Sequence, residues 1–326
     1  MKISPISKIT FMPHKNLINA SKMAKIPFDS VSFSSNKLTL ERLAELKAQA
    51  SEIKTSASEA FNDSKELSTL AYEQLLNAKS AYLEALPYIS LAKKCLLSGG
   101  CELDNGNTLV VNLSFEDDVA LLRITEFDLD ELPIKEIVAQ GSKPLTIAIY
   151  GEEETNVYNF SNRTVEINHD IDENSDDKLV AKYSFVFDGG KLLGIKAKAQ
   201  FEDDPLKSDE YYYFLDNQLI SYSKEHKSAG IFGEEAKHKY NFAGGKLVSY
   251  FEDFAELGKG ATSWDKGYYF KNGGFIAFSE NNQQDSWDSL VMSDEAIFID
   301  GKNEFALHKD VAFKLDDAGN AHFEDV

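Results

Sequence analysis

Six two-residue turn signals recur at nearly constant spacing in the second half of this chain, and they constrain the fold more than any other feature. The signals are Asn162-Arg163, Gly189-Gly190, Asp216-Asn217, Gly244-Gly245, Asn272-Gly273 and Asp300-Gly301, spaced by 27, 27, 28, 28 and 28 residues. Glycine, asparagine and aspartate accept the positive φ angles of tight hairpin turns. A phenylalanine stands two residues before each signal: Phe160, Phe187, Phe214, Phe242, Phe270 and Phe298. The pattern predicts a β-hairpin that is repeated along the chain.

The turn positions also predict which side chains face each other across each hairpin. With two residues in the turn, the residues four before and five after its first member are partners. These pairs set a large ring against a small residue each time: Phe185 with Gly194, Tyr212 with Ser221, Tyr240 with Ser249, and Tyr268 with Ala277. Such pairs fill the same volume in every repeat, so this face is predicted to be a core.

The same register places a second apolar stripe on the opposite face of the sheet. Its members are Leu193, Ile195, Ile220, Tyr222, Val248, Tyr250, Ile276 and Phe278. An apolar stripe of this length is unfavourable in water. We therefore expect the helical region described next to lie across it, or the sheet to curl until the stripe meets another part of itself.

A helical region precedes the hairpins. Apolar or small residues recur at alternating intervals of three and four, which is the period of one helix face. They are Leu43, Leu46, Ala50, Ile53, Ala57, Ala60, Leu67, Ala71, Ala78, Ala81 and Ala85. Asp63 and Glu66 have the spacing of a helix-capping box, so one long helix and a hairpin of two helices are both open. Pro87 and Gly99-Gly100 mark the expected end of the region.

The predicted fold class is α+β, with an N-terminal helical region and a large antiparallel meander of hairpins. Residues 1–37 carry six lysines and one acidic residue and predict a basic, mobile tail. Residues 38–100 form the helical region, and residues 101–326 form the hairpin-repeat domain. A sheet this wide twists and then curls, closes or splits. A curved, solenoid-like meander is favoured over a closed barrel and over a two-sheet sandwich.

Composition limits the partners. The 54 acidic residues against 34 basic residues give a net charge of −20, which argues against nucleic acid, because phosphate binding draws on lysine and arginine. A cationic protein or peptide, or a metal cation, fits this charge better. No stretch approaches the roughly 20 apolar residues that a membrane-spanning helix needs. Self-association through the helical region is left open.

The chemistry-bearing residues give no catalytic constellation. Cys95 and Cys101 are spaced to close a small disulfide loop in an oxidising compartment, and they have no further ligands for a metal nearby. The six histidines lack the spacing of a zinc protease. Carboxylates are so abundant that no pair of them stands out as an acid and a base.

The connections opposite the turns are longer, acidic and hold both tryptophans, so we expect binding there. Trp264 and Trp287 each stand before an aspartate, Asp265 and Asp288, in a Ser-Trp-Asp triplet. A ring beside a carboxylate suits a sugar or a cationic side chain, although a structural tryptophan that covers the end of a hairpin explains the same pattern. A weak calcium-loop spacing runs through Asp170, Asp172, Asn174 and Asp176, without the glycine and the final acid of an EF-hand.

The leading functional hypothesis is a non-catalytic binding or scaffold protein that presents these acidic, tryptophan-bearing loops to a cationic or carbohydrate partner. One alternative is a carbohydrate-active enzyme that uses loop carboxylates. Another is a carrier of apolar ligands, should the sheet close into a barrel. No cofactor is indicated other than the weak calcium spacing.

Overall fold

The computed structural model describes residues 40–172, 179–201, 207–227, 234–256, 262–285, 289–300, 303–315 and 321–325. One α-helix, α1 (Leu40–Cys95), leads into a long series of strands. The strands are β1 (Gly100–Glu102), β2 (Thr108–Glu116), β3 (Val119–Phe127), β4 (Pro133–Gln140), β5 (Lys143–Tyr150), β6 (Glu154–Phe160), β7 (Thr164–Asp172), β8 (Leu179–Asp188), β9 (Lys191–Phe201), β10 (Lys207–Leu215), β11 (Gln218–Lys227), β12 (Glu234–Ala243), β13 (Lys246–Glu256), β14 (Thr262–Lys271), β15 (Gly274–Asp285), β16 (Ser289–Asp300), β17 (Asn303–Leu315) and β18 (Ala321–Asp325).

The helical region is one helix of 56 residues, which decides between the two alternatives. Asp63 and Glu66 therefore lie inside a continuous helix and cap nothing. Pro87 does not end the helix either, although a proline removes one backbone hydrogen bond there. Packing of the turns that follow compensates for this loss, because Ile89 and Ala92 are fully buried.

The described strands form a single antiparallel sheet in which each strand pairs with the strands before and after it in the chain. The sheet is an open meander and is not closed into a barrel. The prediction of an α+β fold with a hairpin-repeat sheet is confirmed. Tail residues 1–37 lie outside the described residues.

Five of the six predicted turns lie at hairpin tips. Both central residues of Gly189-Gly190, Asp216-Asn217, Gly244-Gly245 and Asn272-Gly273 have positive φ, as the tightest hairpin turns require. The Asn162-Arg163 tip is closed by a bond from the Ser161 N–H to the Thr164 carbonyl. The sixth prediction is wrong by one residue, because Asp300 is paired with Asn303 and therefore belongs to the strand and not to the turn.

The predicted partners across the hairpins are wrong by one residue, and a repeated β-bulge is the reason. In the β10–β11 hairpin Phe214 pairs with Leu219, but Tyr213 pairs with Ser221, so Ile220 is an extra residue on β11. Equivalent shifts occur in the β8–β9, β12–β13 and β14–β15 hairpins. A bulge re-aims the side chains beyond it. The rings therefore face Ile195, Tyr222, Tyr250 and Phe278 instead of Gly194, Ser221, Ser249 and Ala277.

The bulges bring four members of the second predicted stripe, Ile195, Tyr222, Tyr250 and Phe278, onto the face of the rings. A continuous row of cross-strand partners, here called the central row, runs along the inner face of the sheet from β2 to β15. Its members are Val111, Ile124, Ile137, Ile147, Tyr158, Ile167, Phe185, Ile195, Tyr212, Tyr222, Tyr240, Tyr250, Tyr268 and Phe278. Every member is buried.

Helix α1 lies across the inner face, as one of the two expected arrangements has it. Its buried alanines form one core cluster with the central row. The helix crosses the strands in reverse order: Gln49 accepts a bond from Tyr268 on β14, and Gln74 accepts one from Tyr158 on β6. The rise of about 37 Å over these 25 residues matches eight strand spacings of about 4.8 Å each. The helix thus runs along the sheet, perpendicular to the strands.

The far end of the helix is joined covalently to the sheet. A disulfide links Cys95, the last helical residue, to Cys101 on β1, with a Cα–Cα separation of 5.9 Å.

Within the described part of the chain, no helix combines the length and the apolar character needed to cross a membrane.

Candidate functional site

Helix α1 contacts the inner face asymmetrically. On the side of the two-residue turns, rings of the helix pack against rings of the sheet: Phe61 on Phe242, Tyr72 on Phe187 and Tyr82 on Phe160. On the side of the longer connections, a cleft of about 610 Å³ separates the helix from β10–β14. A smaller cleft of about 460 Å³, lined by Asp63, Glu66 and Tyr183 among others, lies farther along the same side of the helix. We call the larger space the helix–sheet cleft.

A second row of cross-strand partners lies along the sheet wall of the helix–sheet cleft. This charged row consists of Glu210, Lys224, His238, Glu252, Lys266 and Glu280, on six successive strands. Lys224 pairs with Glu210 at 3.3 Å, and Lys266 pairs with Glu280 at 3.7 Å. The row repeats because its members stand six before or eight after the first residue of each turn, two residues beyond the central row.

Tyrosine hydroxyls join the central row to the charged row. Tyr212 donates to Glu210 at 3.0 Å, and Tyr250 donates to Glu252 at 3.4 Å. The Tyr250 oxygen also lies 2.7 Å from Nδ1 of His238. Because the one hydroxyl proton of Tyr250 is donated to Glu252, the Tyr250 oxygen accepts this second bond from an Nδ1–H of His238. Burial is the main cause that raises the pKa of Tyr212 and Tyr250, so their hydroxyls stay protonated and act as donors. Burial likewise lowers the pKa of His238, which favours the neutral ring.

The helical wall of the cleft is acidic. Glu52, Glu59 and Asp63 line it, and all three side chains are exposed. Glu66 continues this wall into the smaller cleft. None of these four carboxylates forms an ion pair with any described residue of the chain. With Glu210 and Glu252, the helix–sheet cleft holds five carboxylates and only two lysines.

Trp264 lies beside the charged row, within strand β14, so its predicted position in a loop is wrong. The strand begins at Thr262 and carries the ring onto the inner face. The indole N–H donates to Glu252 at 3.4 Å. Phe254 stacks on the ring at 4.0 Å between centroids, and the Lys266 nitrogen lies 4.9 Å from the ring centroid. One face of the indole is thus covered by Phe254, which leaves the opposite face to Lys266.

Asp265 lies on the opposite face of the sheet from Trp264, because successive side chains of a strand alternate. It is the cross-strand partner of Asp253. The two carboxylates help to line an outer cleft of about 760 Å³ that also contains Lys198 and Lys237. Burial first, and then the neighbouring Asp265 carboxylate, raise the pKa of Asp253. The structure therefore separates the predicted Trp264 and Asp265 pair.

The remaining predicted site residues are only partly described. Asp170 lies within β7 and pairs with Lys182 at 3.0 Å, and Asp172 is the last residue of that strand. Asn174, Asp176, Trp287 and Asp288 lie outside the described residues. Among the residues that are described, no group of three or more histidine, cysteine, aspartate and glutamate side chains is placed to hold a metal ion. The calcium site stays a prediction.

No protein-family model matches this chain, and no curated protein matches it in sequence.

Sequence reasoning missed both walls of the helix–sheet cleft. The signal for the helical wall was present, because Glu45, Glu52, Glu59, Glu66 and Glu73 recur every seven residues beside the alanine stripe. The signal for the sheet wall was hidden by the bulges. Because of the extra residue, a member of the charged row stands six residues before the first turn residue on the first strand of a hairpin but eight residues after it on the second.

Proposed function

We propose that this chain is a non-catalytic binding protein whose helix–sheet cleft holds a cationic, extended polypeptide segment. The observation that carries the proposal is the excess of carboxylates in the cleft: Glu52, Glu59 and Asp63 on the helix have no described ion partner. Lysine and arginine side chains would supply the missing charges. The tyrosine hydroxyls and the paired lysines of the charged row would hold the sheet wall in place while the partner binds.

The surroundings of Trp264 disfavour recognition of a partner by the indole ring. Sugar binding by an indole uses an open ring face, and here Phe254 stacks on one face while Lys266 lies over the ring. A cation already occupies the position that a second cation or a sugar would take. The carboxylates of the helical wall are therefore the more accessible recognition elements.

Heptalysine binding, measured by calorimetry at low ionic strength, tests the proposal. We expect Glu52→Gln/Glu59→Gln/Asp63→Asn to weaken binding about tenfold or more, because each exposed ion pair contributes up to about 1 kcal/mol. The matched control is Asp117→Asn/Glu152→Gln/Glu153→Gln, which removes the same charge at exposed turns remote from the cleft. An equal loss in both triple variants would show that only net charge matters and would overturn the proposal.

The same titration is repeated in a tail-neutralised chain, in which Lys2, Lys8, Lys15, Lys22, Lys25 and Lys37 are replaced by serine. This repeat separates binding by the cleft from competition within the chain. Absence of cleft-dependent heptalysine binding in both backgrounds would also overturn the proposal.

A second candidate is a carbohydrate-active enzyme that uses the outer cleft. Asp253 and Asp265 are directly opposed across two strands, and the pKa of Asp253 is raised by burial and by Asp265. A carboxyl group whose pKa is raised, next to a second carboxylate, suits a general acid beside a base or nucleophile. Turnover of a glycan panel that is lost in Asp265→Asn would support this candidate, and a parent protein without turnover would remove it.

The apolar-carrier alternative required a closed barrel. Because the sheet is open, nothing now favours that alternative.

A further inference from the structure

The residues that precede helix α1 are joined to it at one end of the helix–sheet cleft. The helix begins at Leu40, and Arg42 pairs with Glu280 on β15 at 3.2 Å. Glu280 is the neighbour of Lys266 in the charged row, and Lys266 lines the cleft. Residues before Leu40 therefore join the described structure within one strand of the cleft.

The charges of this preceding segment complement those of the cleft. Residues 1–37 hold Lys2, Lys8, Lys15, Lys22, Lys25 and Lys37, with Asp29 as the one acidic residue. The helical wall holds Glu52, Glu59 and Asp63 without a described ion partner, and Glu66 follows in the smaller cleft. The segment thus has the positive charge that the carboxylates of the helical wall would attract.

The segment is also long enough. The sheet wall from β14 to β10 covers four strand spacings, about 19 Å, which an extended chain spans with about six residues. A covalently tethered segment acts at a high effective concentration, on the order of millimolar for a short connection. Weak charge pairs are thus sufficient for binding within the chain.

We propose that the basic segment of residues 1–37 binds in the helix–sheet cleft of its own chain and competes there with an external cationic partner. This inference rests on the proposed function, because it assigns a built-in competitor to the same site. The segment would keep the acidic cleft filled until a partner with more positive charges, or with better placed ones, displaces it.

Zero-length carbodiimide cross-linking of the full chain tests the contact directly. The reagent joins a lysine amine to a carboxylate only when the two are in ion-pair contact. We expect monomeric products that link lysines of residues 1–37 to Glu52, Glu59 or Asp63, and we expect high salt to abolish them. The links should vanish in the Glu52→Gln/Glu59→Gln/Asp63→Asn variant and persist in Asp117→Asn/Glu152→Gln/Glu153→Gln. Links found only in dimers would assign the site to the segment of a second copy and overturn the inference, and so would a monomer without these links.

Competition gives an independent readout. The tail-neutralised chain should bind heptalysine at least about tenfold more tightly than the parent, as expected when a tethered competitor is removed. Equal affinities in the two chains, with binding that still depends on Glu52, Glu59 and Asp63, would overturn this inference and leave the proposed function standing. Absence of cleft-dependent binding in both would overturn the proposed function instead.

Discussion

At the residue scale, the central row consists of isoleucines where the helix lies directly on the sheet and of tyrosines where the helix–sheet cleft separates the two. Ile124, Ile137 and Ile147 occupy the row where β3–β5 lie under the C-terminal part of the helix. Tyr222, Tyr240, Tyr250 and Tyr268 occupy it where the cleft opens. A tyrosine has an apolar body that can be buried and a polar tip that can reach a cleft. The row therefore contributes to the core and to the floor of the site at once.

These buried phenols predict a loss of stability at alkaline pH. Burial raises the pKa of Tyr158 to about 12 and raises the pKa of Tyr212, Tyr222 and Tyr250 as well. The folded-state pKa of these phenols lies above the unfolded value of 10.0. The contribution of the buried neutral phenols to the stability of the fold is therefore complete below pH 10.0 and is lost as the pH rises through the folded-state pKa values. We expect phenolate absorbance and loss of circular dichroism to rise together in this range.

The control is the same titration in guanidinium chloride, where all tyrosines should ionise at their ordinary pKa. Ionisation of every tyrosine near that pKa in the folded protein, without loss of structure, would contradict the burial of the row.

At the element scale, the turns were predictable from sequence because they depend on two adjacent residues, whereas the bulges depend on how strands pair. The evidence for a bulge was nevertheless present. Leu219 and Tyr222 are both apolar and stand three residues apart, which breaks the two-residue alternation of a strand. The same interval separates Leu247 from Tyr250 and Phe275 from Phe278. An extra residue in each second strand is what allows both members of these pairs to face the core.

Deleting Ile220 tests this role of the bulge. Removal of the extra residue should remove the bulge and leave Tyr222 opposite Tyr212 on the core face, because Leu219 and Tyr222 then stand two residues apart. We therefore expect the deletion to cost only about 1 kcal/mol in the free energy of unfolding.

Deleting Glu166 from β7, which pairs with β6 without a bulge, should instead turn the buried Ile167 to the outer face and cost at least about 3 kcal/mol. Denaturant unfolding that gives the two deletions equal stability would contradict the assignment.

The alanine stripe of helix α1 sets how closely the helix approaches the sheet. Ala71 is fully buried, so Ala71→Leu should overpack the interface and lower the free energy of unfolding by about 1–3 kcal/mol. Thr69→Leu, at an exposed position of the same helix, should change stability little. Thermal unfolding of both variants gives the comparison, and an Ala71→Leu protein as stable as the parent would mean that the helix is not in close contact there.

The candidate site was less predictable than the fold. The sequence singled out Trp264 and the acidic loops, whereas the carboxylates of the helix–sheet cleft are on the helix and on the charged row. Which side of the helix stays open depends on Phe61, Tyr72 and Tyr82, whose rings pack toward the turns. That choice arises from packing between elements far apart in sequence, and no local pattern encodes it.

At the scale of the whole molecule, one helix contacts the sheet from β15 to β1. Arg42 contacts Glu280, 238 residues away in the chain, while the other end of the helix is tied to β1 by the Cys95–Cys101 disulfide. The sheet supplies a regular wall of charged side chains, and the helix supplies the acidic wall opposite. The helix–sheet cleft exists only because both are assembled, so binding by the cleft should report on the complete fold.

Trp264 fluorescence in a Trp287→Phe variant of the tail-neutralised chain tests the central claim most directly, because this indole is bonded to Glu252 beside the cleft. We expect heptalysine to change the emission of Trp264 with the same midpoint as calorimetric binding, and heptaserine to leave it unchanged. Both the binding and the emission change should weaken together in Glu52→Gln/Glu59→Gln/Asp63→Asn. Calorimetric binding of heptalysine without any change in Trp264 emission would place the cation elsewhere and contradict the account.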